Sequence, residues 1–82
     1  MDWYDIDEIL LDGTVEEIKK LKCPDCGGVL EFNYTPYKSS KLGDLRVFCH
    51  SCNQYEALHK LMGEPNCVKY LGAKGVLEDG KG

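Results

Sequence analysis

No stretch of this 82-residue chain approaches the ~18 consecutive apolar residues that a membrane-spanning helix needs. The opening residues, Met1 to Asp5, are acidic where a secretory leader would be basic, and no apolar segment follows them. Both absences point to a cytoplasmic, reducing setting with no membrane partner. Tryptophan, phenylalanine and methionine are few, at one, two and two. A chain this short buries a modest share of its surface, so such a core alone leaves the fold marginal. The sequence also lacks a Ser-His-Asp order, a phosphate-cradling glycine loop and a carboxylate pair at defined spacing. The expectation is therefore a protein that is not an enzyme.

What the chain has instead is five cysteines. An odd number suits a disulfide framework poorly. Cys23, Cys26, Cys49 and Cys52 form two C-x-x-C pairs separated by 22 residues, and Cys67 stands apart. Each tight turn can present two thiolates from one side, and two such turns joined by a hairpin supply four sulfurs at tetrahedral corners. Soft thiolates select zinc, iron–sulfur centres or copper(I) over hard cations. The spacing is close to that of four-cysteine zinc sites, so the expected cofactor is one zinc ion. Four thiolates leave no open coordination position, which argues for a structural role rather than catalysis. Gly27-Gly28 after the first pair, and Asn53 after the second, suit backbone that must turn back on itself. His50 or His59 could replace a cysteine as ligand, and Cys67 could be a fifth, exchanging one; the plainer reading leaves both histidines in solvent and Cys67 as a small apolar residue.

Along the chain, Trp3, Ile6, Ile9 and Leu10 recur at helical spacing after a capping Asp2. Thr14-Val15-Glu16-Glu17 matches a capping box and opens a second helix, a strand over residues 18–22 being the competing assignment. Residues 29–35 alternate as a strand, 36–44 form a polar tip, and 45–48 return as a second strand that delivers Cys49. Residues 53–62 fit either a helical face or a third strand; the first half leans to strand. Residues 67–71 suit one helical turn or an edge strand. Four glycines after residue 71 suggest a flexible tail.

The segments CPDCGG at 23–28, VLEFNYT at 29–35 and LRVFCHSC at 45–52 resemble the zinc ribbon family. The resemblance covers about residues 18–60 and implies a small α+β fold, a two- or three-stranded antiparallel sheet with two zinc knuckles. The expected organisation is an acidic N-terminal helical extension at 1–17, a ribbon at 18–71 and a tail at 72–82. The family is functionally mixed, so it implies fold more than function.

The net charge of −4 is unevenly spread. Residues 1–18 hold seven carboxylates and no lysine or arginine, whereas residues 19–55 hold six cationic side chains and three carboxylates. Such asymmetry can mark an interaction surface, although acidic helix starts also produce it. Tyr37, Lys38, Lys41 and Arg46 are candidate contacts for nucleic acid or another partner, because aromatics interleaved with cations stack bases and neutralise phosphates. An acidic N-terminus would oppose that unless it lies on the opposite face. Phe32 and Phe48 could join such a surface or fill the core. Trp3, Ile6 and Leu10 could dock in a protein partner's groove or cover the chain's own sheet. The leading expectation is a non-enzymatic zinc-binding module making protein or nucleic-acid contacts. The alternative is a rubredoxin-like iron electron carrier, against which stand His50 and Asn53 at the second knuckle.

Overall fold

Local chemistry sets the first two elements. Helix α1 (Trp3–Asp12) begins with a reciprocal cap: the Asp2 carboxylate accepts from the Asp5 amide and the Asp5 carboxylate from the Asp2 amide. It stops at Gly13, where a Cβ would lie 2.6 Å from the Ile9 carbonyl oxygen. Helix α2 (Val15–Lys19) opens with the expected capping box between Thr14 and Glu17. The competing strand over 18–22 does not form.

The computed structural model describes residues 1–77. After the two helices come β1 (Leu30–Pro36), β2 (Leu42–Cys49), β3 (Tyr55–Met62), α3 (Asn66–Leu71) and β4 (Lys74–Leu77). The strands form one antiparallel sheet in the order β3-β2-β1-β4. The fold is thus a small α+β one, with four strands rather than the two or three expected. In the segment 53–62 it is the strand that forms, as β3 from Tyr55 to Met62, and residues 66–71 are helical.

The fourth strand lies inside the segment expected to be a flexible tail. Lys74 to Leu77 pair with β1, Leu77 opposite Leu30 and Gly75 opposite Phe32. Gly75 is there for packing, since a Cβ on it would sit 2.6 Å from the Phe32 ring. The remainder of the expected tail, residues 78–82, lies outside the described residues.

Alternation splits the sheet into two faces. Leu30, Phe32, Tyr34, Leu45, Val47 and Leu77 point to a buried layer. The helices supply the other half of that layer through Ile6, Leu10, Ile18, Cys67 and Val68, joined by Leu21 just after α2. Segment 1–17 therefore contributes to the same core as the sheet, because the sheet's inner face needs apolar cover that the strands cannot provide. No helix among the described residues is long and apolar enough to cross a membrane.

Among the described residues Asp7 is the one charged residue buried in this layer, and its Oδ1 has no hydrogen-bond partner. Burial first, then repulsion from Glu56, raises its carboxyl to about 6. The raised value means the fold prefers the protonated form. That contribution is complete below the unfolded value near 4 and is lost as pH rises through about 6. Replacing Asp7 by Asn should therefore stabilise the protein at pH 7.5 by about 1–2 kcal/mol, with the gain fading towards pH 5. Urea unfolding at the two pH values checks this, and an equal gain at both would contradict it.

Candidate metal centre

Strand register brings the two cysteine pairs together. The first knuckle closes just before β1, with the Gly27 amide donating to the Cys23 carbonyl at 2.8 Å and the Cys23 amide to the Gly28 carbonyl at 3.0 Å. Cys49 ends β2 directly opposite Leu30, the first residue of β1. The second knuckle closes with the Cys49 amide on the Gln54 carbonyl at 2.9 Å, and the His50 amide reaches the Val29 carbonyl at 3.1 Å. The two turns are conformationally alike, for Gly27 has φ 75° and Asn53 has φ 62°. Asn supports this left-handed backbone better than most residues, so Asn53 does the work that glycine does in the first knuckle. Gly28 has a separate reason to lack a side chain, because its Cβ would meet Ser51 Oγ at 2.6 Å across the site.

The outcome is a cluster of four sulfurs from Cys23, Cys26, Cys49 and Cys52, all within 4.8 Å of one another. Cys23 and Cys52 are 3.6 Å apart, and Cys26 and Cys49 3.5 Å. All are free thiols rather than disulfides. A tetrahedron of sulfurs with Zn–S bonds of about 2.3 Å has edges of about 3.8 Å. The cluster brackets that value, so the residues fit a four-thiolate metal ion. Cys23 and Cys49 are buried, Cys52 half-buried and Cys26 exposed.

Backbone amides around the sulfurs prepare them for charge. The Ser51 amide donates to Cys49 Sγ at 3.3 Å. Burial opposes ionisation of the Cys49 thiol, but the amides of Cys52 and Ser51 and the neighbouring thiols outweigh it and bring it down to about 6. The Gly28 amide favours the Cys26 thiolate in the same way; even so, the surrounding Cys49, Cys52 and Cys23 thiols push Cys26 up to about 12. The neighbouring thiols thus pull Cys49 and Cys26 in opposite directions. Loading a metal ion must displace the thiol protons.

The other sequence candidates lie elsewhere. His50 Nε2 meets Glu31 Oε1 at 2.6 Å, and His59 Nδ1 lies 3.4 Å from Asp44 Oδ2. Cys67 is fully buried in the core, where burial pushes its thiol up to about 12; it is not a fifth ligand. Ile6 and Leu10 are fully buried too, which removes them as a docking stripe because they cover the chain's own sheet. Trp3 is half-buried and its Nε1 donates to Asp25 Oδ2 at 3.2 Å, tying α1 to the first knuckle.

Of the proposed contact residues, Lys38, Lys41 and Arg46 are exposed. Tyr37 is half-buried and donates to Asp44 Oδ1 at 2.7 Å. Asp44 also accepts from the Lys60 amide at 3.2 Å, and the Tyr37 hydroxyl foremost holds its carboxyl below the usual range. Nothing in the sequence around Asp44 announced this role, which depends on β2–β3 register. Arg46 is apart from the hairpin tip and lies over the Tyr55 ring, 5.8 Å from its centroid. No family model, curated protein or solved structure matches the chain, so the four-sulfur cluster is the feature from which function must be argued.

Proposed function

We propose that this protein is a non-enzymatic, zinc-ribbon-like module in which one zinc ion joins two cysteine knuckles and the folded unit serves macromolecular contacts. The observation that carries this reading is the convergence of four sulfurs within 4.8 Å from turns far apart in sequence. A bound ion would cross-link the β1–β2 hairpin at its base, where the small core most needs reinforcement. Cys23, Cys26, Cys49 and Cys52 fill all four positions of a tetrahedral site, which leaves no place for a substrate or an activated water.

Elemental analysis of the purified protein, with a visible absorption spectrum, tests the reading. One equivalent of zinc and a colourless solution is the expected result. Iron with strong visible bands, in cells supplied with zinc, would overturn it in favour of electron transfer.

A further inference from the structure

The sheet has a second face that no helix among the described residues covers. Cross-strand partners share a face, so one row across the sheet is Tyr55, Phe48, Glu31 and Val76, and the next is Ala57, Arg46, Asn33 and Lys74. Tyr55 is 63% exposed and Val76 46% exposed. Phe48 is half-buried yet belongs to neither the core nor the apolar residues packed against it. The chain thus spends one of its two phenylalanines on a surface that folding does not require.

Charge on this face is arranged to the same end. Among the described residues this face carries two carboxylates, and both are occupied, Glu31 by His50 and Asp44 by Tyr37 and His59. Arg46 and Lys74 are exposed. Arg46 lies over Tyr55, and the His50 ring stands 5.9 Å from Phe48. A hollow of about 460 Å³ opens here, lined by Arg46, Phe48, Asn53 and Tyr55 beside Cys49. The acidic helices pack on the other face of the sheet, as the shared core of Ile6, Leu10 and Ile18 with Phe32 and Val47 requires. The separation that nucleic-acid binding demands of so acidic a chain is therefore present.

We infer that the open sheet face binds single-stranded nucleic acid. Successive bases stack on Phe48 and Tyr55, Arg46 and Lys74 meet phosphates, and the Asn53 amide at the rim offers both a donor and an acceptor to a base edge. A duplex, whose bases are already stacked, gains nothing from the two rings. This names a partner for the module proposed above and rests on that reading, because the second knuckle places Asn53 and the end of β2.

The test is fluorescence anisotropy of a labelled mixed-sequence single-stranded RNA of about 12 nucleotides, with the full metal-loaded chain at low and moderate salt. Phe48→Ala and Tyr55→Ala should each weaken binding about fivefold to a hundredfold. Arg46→Gln should lower the slope of log affinity against log salt by about 0.7, the contribution of one phosphate on a single strand. Duplex RNA should compete poorly. The variants lie on the open face, so circular dichroism and metal content should match the parent. Absence of binding at low salt would overturn the inference. Affinity unchanged in both aromatic variants would do the same, as would polyglutamate competing as well as the RNA, which would indicate an acidic protein partner. Metal content measured on the same sample separates the two readings: a zinc-loaded chain that ignores RNA sinks this inference alone, and a chain without metal sinks the module.

Discussion

Stripping the metal with a strong chelator should abolish most of the native circular dichroism signal, and returning one equivalent of zinc should restore it. Structural zinc contributes ~10–16 kcal/mol of apparent binding free energy in small peptides. A whole domain is stable by only ~5–15 kcal/mol, so losing a bound zinc ion would remove about as much stability as such a fold has. The structure says where the damage falls. Cys23 and Cys26 precede β1, and Cys49 closes β2, so a bound ion would tie both ends of the central hairpin. Cys49→Ser should act like chelation, because Cys49 is 1% exposed and its amide-supported thiolate has no substitute. Cys67→Ala is the contrast. It leaves a small cavity in the core and should retain full metal content. A native spectrum that survives chelation would contradict the account.

The second large effect should come from Phe32. Its ring is fully buried, is flanked by Val47 of β2 and Gly75 of β4, and fills the space a Gly75 side chain would need. Phe32→Ala should cost about 3–5 kcal/mol, the transfer and cavity cost of a core aromatic. Gly75→Ala should cost about 1–3 kcal/mol by overpacking. Because the two changes act on the same space in opposite senses, the double variant should be less damaged than their sum. Denaturant unfolding of the metal-loaded proteins checks all three, and strict additivity would show that the ring does not occupy that space.

The parts of this fold legible in sequence are those governed by neighbours in the chain. The Thr14–Glu17 capping box works over three residues, and each C-x-x-C turn over four. Elements that depend on partners distant in sequence were harder to see. In β3, Leu58 lies opposite Leu45 and Leu61 opposite Gly43, so one extra residue of β3 is accommodated between them. Lys60, at φ 57°, belongs to that bulge. Both leucines therefore pack on the core at a spacing of three, which in sequence imitates a helix. Gly72 and Gly75 suggest a loose tail and so mask strand β4, whereas Gly75 is demanded by the Phe32 ring. The four cysteines were recognisable as a set, whereas the row of Tyr55, Phe48 and Arg46 exists only once the strand register is known.

The most direct test of the central claim is X-ray absorption at the zinc edge of the purified protein. One shell of four sulfurs at about 2.3 Å with no nitrogen or oxygen ligand is expected, since His50 and His59 are paired with carboxylates and Cys67 is buried in the core and not among the clustered sulfurs. A shell with nitrogen or oxygen in it, or with fewer than four sulfurs, would contradict the four-cysteine centre.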